Sequence, residues 1–151
     1  MPRRPKLDLA DYMPYLVNRL GAAFVARFTA DALVSRGLSI AEWRVLAALA
    51  SHGPQRLTDL SQLTSIETST MSRLVTRLTR TGLVSRSRNV RNSREVVVGL
   101  TPQGARTAAD MTPLAVDLEA QAIRGLPQRE LAAVKRALRR MHDKLTAAAS
   151  D

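Results

Sequence analysis

The 151 residues contain no cysteine, one tryptophan, two tyrosines and two phenylalanines. Without cysteine, disulfide and sulfenate switching within the chain are excluded, and a reducing compartment suits the composition. With aromatics at 3%, a core has to be assembled from Leu, Val, Ala and Met, which long helices accommodate more readily than an all-β fold does. The same scarcity removes the stacking surfaces that single-stranded nucleic acid requires, which argues against an RNA-binding role. No uninterrupted apolar run approaches the ~20 residues that span a bilayer, and the stretch Met1-Pro2-Arg3-Arg4-Pro5-Lys6 lacks the apolar segment of a signal peptide. A soluble cytoplasmic protein with no membrane partner is expected.

Catalytic and metal-binding signatures are also missing. His52 and His142 lie far apart and have no cysteine or second histidine at ligand spacing, so no metal site is expected. There is no Gly-rich phosphate loop, no G-x-S-x-G elbow and no convincing carboxylate pair. The sequence therefore reads as neither an enzyme nor a cofactor-binding protein.

What the chain does have is positive charge. Twenty-three Lys and Arg oppose 13 Asp and Glu, a formal charge of +10, which suits a polyanionic partner. Only Lys6, Lys135 and Lys144 are lysines. The arginine bias has a bland source in the codon usage of a GC-rich genome and a functional one in bidentate contact with phosphate or guanine. Hydrophobic residues make up 45%, enough for one globular domain without staples.

The apolar periodicity predicts six helices and one hairpin in a single domain, residues 1–151. Asp11 is expected to cap a first helix that tolerates Pro14 in its first turn and runs to about Ser35, stopping before Gly37. Its positions Leu9, Met13, Leu16, Leu20 and Ala23 form one apolar stripe. Ser39 caps a second helix over about 40–51, ended by Gly53-Pro54. A third spans about 57–63 and a fourth about 67–81, closing at Gly82. The period then changes from 3.6 to 2, and residues 83–88 and 95–100 read as strands with Val96, Val98 and Leu100 on one face. Thr101-Pro102 starts a fifth helix, bent near Pro113 and reaching about Arg124. Pro127 opens a sixth, in which Leu131, Val134, Leu138, Met141 and Leu145 form a heptad-like seam. That seam packs either on the chain's own core or on a second subunit. Because the first helix carries a matching stripe, a dimerisation subdomain from residues 9–36 and 102–148 is the favoured reading, around a DNA-binding lobe at 39–101.

A short helix, a turn, a longer helix and a basic hairpin make a winged helix-turn-helix. Between residues 56 and 94 there are eight arginines against Asp59 and Glu67. On the fourth helix, 100° per residue gathers Met71, Leu74, Val75 and Leu78 on one side. Ser69, Arg73, Thr76 and Arg80 fall opposite, with Ser72 at the flank. Small hydroxyl residues let a helix approach the groove floor, where they and Arg can reach base edges. Some of these hydroxyls serve as caps, and Ser65 is expected to be one. The candidate DNA-contacting residues are Ser69, Thr70, Ser72, Arg73, Thr76, Arg77 and Arg80 on the helix. Arg88, Arg91 and Arg94 join them on the hairpin, suited to phosphate or minor-groove contact.

Taken in order, Leu57–Leu63, Ser69-Thr70-Met71-Ser72-Arg73-Leu74-Val75, Gly82-Leu83-Val84-Ser85-Arg86 and Leu100-Thr101-Pro102-Gln103-Gly104 resemble the landmarks of the MarR family along nearly the whole chain. The family's wing usually carries Asp-x-Arg, where this chain has Asn92-Ser93-Arg94. The resemblance implies a mainly α fold with a β-hairpin wing and terminal dimerisation helices. It also implies a homodimer on a palindromic double-stranded operator, typically repressing until a small ligand binds. The segment Trp43-Arg44-Val45-Leu46, with residues 64–70 and 92–96, looks like a subgroup linked to aromatic-acid catabolism. Its effectors are aromatic acids or their coenzyme A thioesters. A family-like pocket would lie where the first, second and fifth helices meet the DNA-binding lobe. There Trp43 supplies a wall and Tyr15, Arg19, Arg27 or Arg44 neutralises the anion; the alternative is a core tryptophan with solvated arginines. The competing functional reading is a constitutive architectural DNA-binding protein without an effector.

Overall fold

A computed structural model of the chain describes residues 6–88, 92 and 95–148. Among them are six α-helices and one antiparallel hairpin: α1 Met13–Phe28, α2 Ile40–His52, α3 Leu57–Thr64, α4 Thr68–Arg80, β1 Val84–Arg88, β2 Val96–Leu100, α5 Pro102–Ala122 and α6 Gln128–Ala147. The mainly helical, winged architecture agrees with the sequence. The chain divides into two compact units, one ending at Ala115 and the other beginning at Val116.

In the first unit, the expected long first helix is continuous to Arg36 but not uniform. After Phe28 it widens into a π turn, Thr29–Leu33, then tightens into a 3₁₀ turn, Val34–Arg36, before Gly37 at φ 62° ends it. Its start corrects one expectation. The N-cap is Tyr12, no side chain caps the helix, and Asp11 lies outside it. The apolar stripe of α1 is uncovered in the single chain, with Leu9, Met13, Leu16 and Leu20 all exposed.

α2 starts at a complete capping box. The Ser39 hydroxyl accepts from the Glu42 N–H at 3.2 Å, and the Glu42 carboxylate accepts from the Ser39 N–H at 2.8 Å. This pairing satisfies two of the amide donors that a helix start leaves open. α2 presents Val45, Leu46 and Leu49 to a core completed by Leu60 of α3, Met71, Val75 and Leu78 of α4, and Leu83, Val84 and Val98 around the hairpin. Each such side chain stabilises the lobe by about 1.5–3 kcal/mol on burial. The core therefore sits directly behind α4 and fixes which of its faces remains outside.

The hairpin pairs Val84 with Leu100 through Arg88 with Val96. Gln55, just before α3, exchanges both backbone hydrogen bonds with Val98, at 2.9 and 2.8 Å, and so adds a one-residue third strand beside β2. α4 ends where the Leu83 N–H returns to the Leu78 carbonyl at 2.9 Å, around Gly82 at φ 78°. This is a Schellman-type stop, which needs a left-handed residue at that point. Thr101 caps α5: its hydroxyl accepts from the Gly104 N–H at 3.0 Å and donates to the Gly82 carbonyl at 2.6 Å. A side chain at Gly104 would collide with the Leu83 carbonyl, so only glycine lets α5 lie this close to the entry of β1.

Described by itself, the second unit contains the end of α5 and α6. Lys135 of α6 pairs with Glu119 of α5 at 2.6 Å. The α6 seam faces outward in part, with Val134, Leu138 and Leu145 exposed.

Candidate nucleic-acid interface

The turn from α3 to α4 is only three residues long, with Ser65 left-handed at φ 55°. Ser65 is the C-cap of α3 and does not cap α4, which corrects the expectation for it. α4 is capped instead at Glu67, without a side-chain hydrogen bond. A non-glycine residue in this region costs roughly 1–2 kcal/mol, and the burial of Leu60 and Met71 on either side outweighs it.

α4 divides as its periodicity predicts. Met71, Val75 and Leu78 are fully buried and Leu74 is half-buried, while Ser69, Thr70, Arg73, Thr76, Arg77 and Arg80 are exposed and Ser72 is half-buried. Ser72, Arg73, Thr76, Arg77 and Arg80 line one shallow groove along the outer face. The structure thus brings five of the seven helix candidates together, with Ser69 and Thr70 exposed in the first turn.

The arginines fall into two groups that the sequence alone does not separate. Arg56 grips both Asp59 oxygens, at 2.8 and 3.2 Å, and donates to Glu95 at 2.8 Å, tying the start of α3 to the base of the wing. The Asp59 and Glu95 hydrogen bonds hold its guanidinium above the usual range, and the Arg56 hydrogen bond holds the Asp59 carboxyl below its usual value. Arg77 pairs through Nε with Oε1 of Glu42 at 2.9 Å. The Glu42 side chain is 2% exposed and the Arg77 side chain 61%. Arg77 therefore has one edge inside the lobe and one outside. Arg86 of β1 donates to the Thr76 hydroxyl at 3.0 Å. Arg73, Arg80 and Arg88 are exposed. Arg91 and Arg94, with Ser93, lie outside the described residues. Asn92 accepts the Glu95 N–H through its carbonyl at 3.0 Å.

Four of the residues proposed for a ligand pocket make local contacts. Trp43 is half-buried, packs on the lobe's core and stacks on Phe28 with ring centroids 5.4 Å apart at 44°. Arg44 is exposed. Arg27 pairs with Asp31 at 2.6 Å, and Arg19 lies over the Tyr15 ring at 5.6 Å. A separate cleft of about 330 Å³ opens within the first unit beside the buried Glu42–Arg77 pair. None of the five lines it. The Ser39-x-x-Glu42 spacing signals a helix start in the sequence, yet nothing local signals that Glu42 also reaches Arg77, 35 residues away.

The histidines engage nearby groups: His52 Nδ1 lies 3.2 Å from the Ala48 carbonyl, and His142 Nδ1 lies 3.5 Å from Asp143. Among the described residues, no cluster of three His, Cys, Asp or Glu forms a metal-binding group. No helix among them is long and apolar enough to cross a membrane.

A family model described as MarR family matches residues 38–96, the stretch from the α2 cap to the start of β2. The HTH-type transcriptional repressor NicR of Pseudomonas putida is 29% identical over 136 residues, covering 90% of this chain and 85% of NicR. A MarR family transcriptional regulator from Silicibacter pomeroyi DSS-3 superposes with a TM-score of 0.77 at 31% identity, over 93% of this chain and 99% of that one. BpsR of Bordetella bronchiseptica, whose DNA binding is regulated by 6-hydroxynicotinic acid, superposes with a TM-score of 0.80 at 29% identity, over 93% and 99%.

Proposed function

The chain belongs to the MarR family of transcriptional regulators, and from that premise we propose that it is a dimeric repressor of a palindromic operator, released by a small anionic aromatic ligand. The observation that carries the DNA-binding half is the outer face of α4. Arg73, Thr76, Arg77 and Arg80 line one groove there, above a helix face sealed into the core. A helix held in this way can enter the major groove without moving its support, and the arginines supply both base-edge donors and phosphate neutralisation. Arg88 extends the cationic surface onto the wing, with Arg91 and Arg94 following in the sequence. The exposed apolar stripes of α1 and α6 supply surface for a second copy. Two-fold symmetry would then present two recognition helices to half-sites ~34 Å apart.

The ligand half rests on the net charge of +10 and on likeness to NicR and BpsR. A free aromatic acid and its coenzyme A thioester are the two ligand forms to compare. The test is selection of duplexes from a random pool, followed by titration of the bound duplex with 6-hydroxynicotinate and with benzoyl-coenzyme A. An inverted repeat released by one of these ligands is the expected result. Binding without sequence preference, unaffected by either ligand, would leave a constitutive DNA-binding protein.

A further inference from the structure

One arginine of α4 is held from another element. Arg77 directs Nε to Oε1 of Glu42 at 2.9 Å, and the other Glu42 oxygen accepts the Ser39 N–H at 2.8 Å. With both oxygens engaged in a side chain 2% exposed, the carboxylate cannot turn to follow a moving guanidinium. Arg36 and Asp110 line the cleft beside the pair, but Arg36 donates to the Ala32 carbonyl at 2.9 Å. Arg77 is the only ion-pair partner of Glu42 among the described residues. The Nη1–Nη2 edge of Arg77 makes no hydrogen bond among those residues, and its side chain is 61% exposed. Arg77 lines the groove on the outer face of α4 with Arg73 and Arg80. At 100° per residue it stands about 40° round the helix from Arg73, toward the half-buried Leu74. It is therefore at the margin of the outer face, where the sugar-phosphate wall of a major groove would pass.

We infer that Glu42 is a positioning residue for DNA binding, holding Arg77 so that its terminal nitrogens meet a backbone phosphate beside the groove that α4 enters. The inference rests on the DNA-binding reading above and goes beyond it, because Glu42 belongs to α2 and its buried side chain is itself out of reach of DNA. A guanidinium is a planar fork, and with Nε used the Nη1–Nη2 edge still forms two parallel bonds to a phosphate. An arginine free on a surface loses its rotamer freedom when it binds. Anchored on Glu42, Arg77 has lost that freedom on folding, and the contact is preorganised. The anchor also ties the phosphate contact to the capped start of α2, and through α2 to the core behind α4. The contact then fixes how α4 sits in the groove, which is what phosphate contacts contribute to recognition. By charge alone, a carboxylate this close to DNA would oppose binding. Positioning predicts the opposite sign.

The experiment is anisotropy of a duplex selected by the wild-type protein, at several salt concentrations. The proteins compared are wild type, Glu42→Gln, Arg77→Ala, Arg77→Lys and the double variant Glu42→Gln/Arg77→Ala, under conditions where urea curves show each to be folded. Glu42→Gln keeps an acceptor for the Ser39 N–H, as a capping box allows, but removes the charge that holds Arg77. It is expected to weaken binding about three- to ten-fold, with the slope of log affinity against log salt near the wild-type value. Arg77→Ala should weaken binding further and reduce that slope by about one. Arg77→Lys keeps the charge but has a single nitrogen for two partners, so its affinity should lie closer to that of Arg77→Ala than to wild type. In the double variant, Glu42→Gln should add a loss of about two-fold or less to that of Arg77→Ala, because its effect passes through the missing side chain. Glu42→Gln binding as tightly as wild type, or more tightly as charge alone predicts, would overturn the inference. So would an equal loss from Glu42→Gln with and without Arg77, or wild-type affinity in Arg77→Lys. If Glu42→Gln does not fold, the comparison of Arg77→Lys with Arg77→Ala, in which Glu42 is intact, decides. A wild-type protein that selects and binds no duplex would overturn the DNA-binding reading and the inference with it.

Discussion

Arg86, on the first wing strand, donates to the hydroxyl of Thr76 on α4 across 3.0 Å, while that hydroxyl donates its own hydrogen to the Ser72 carbonyl at 2.9 Å. The Thr76 hydroxyl has thus used its one donor and keeps one acceptor lone pair for DNA. The wing strand and the recognition helix are joined by a side chain as well as by Gly82. Arg86→Ala is expected to weaken binding to selected and scrambled duplexes alike, and to reduce the slope of log affinity against log salt by about one. Anisotropy titrations at several salt concentrations measure both quantities.

Arg77 plays a different part from its neighbours on the same face. Arg77→Ala leaves the buried Glu42 carboxylate with the Ser39 N–H but no counter-charge. The expected loss is about 1–3 kcal/mol of folding stability, against no more than about 0.5 kcal/mol for the exposed Arg73→Ala. Urea unfolding of the two variants side by side distinguishes a structural arginine from a purely DNA-directed one.

Arg56 holds the Asp59 carboxyl below its ordinary value of 3.8, chiefly through its hydrogen bond. The unfolded chain binds that proton more readily, so the tie contributes fully above pH 3.8 and is lost as pH falls through the lower folded value. Asp59→Asn should therefore be less stable than wild type near neutrality, and the gap should narrow in acid below pH 3.8. Thermal melts across that range report it. A constant difference would mean that Asp59 acts through packing alone.

Gly104→Ala places a methyl group against the Leu83 carbonyl, which belongs to the backbone and has no rotamer with which to yield. Overpacking of this kind costs about 1–3 kcal/mol. The expected result is a lower midpoint in thermal or urea unfolding, with DNA affinity lost in proportion to the unfolded fraction.

These relationships show which features the sequence carried. The faces of α4 were legible because their cause is local: a 3.6-residue period puts Met71, Val75 and Leu78 on one side whatever surrounds them. The starts of α2 and α5 were legible through Ser39 and Thr101-Pro102 for the same reason. Ser65 was misread because a hydroxyl before a helix has the signature of a cap, whereas here the three-residue turn forces that residue left-handed. Asp11 failed similarly, with Tyr12 taking the N-cap position one residue later. The π turn at Thr29–Leu33 left no trace because it shifts the apolar spacing only slightly. The sorting of arginines depends on partners 35 to 39 residues away in the Glu42–Arg77 and Arg56–Glu95 pairs, which periodicity does not reach. The cleft was invisible for that reason too, since Arg36, Glu42, Arg77 and Asp110 come together only once α2, α4 and α5 are packed.

The most direct test of the account is the ratio of affinities for a selected palindromic duplex and its scrambled counterpart, measured by anisotropy at one salt concentration, for wild type and Arg73→Ala. Arg73 lies on the groove-facing side of α4 and is exposed. The account predicts a wild-type preference on the order of 10³ or more, and a loss of ~1–3 kcal/mol on the selected duplex but little on the scrambled one for Arg73→Ala. A wild-type protein that binds both duplexes equally, or an Arg73→Ala variant that loses the same affinity for each, would contradict sequence reading by α4.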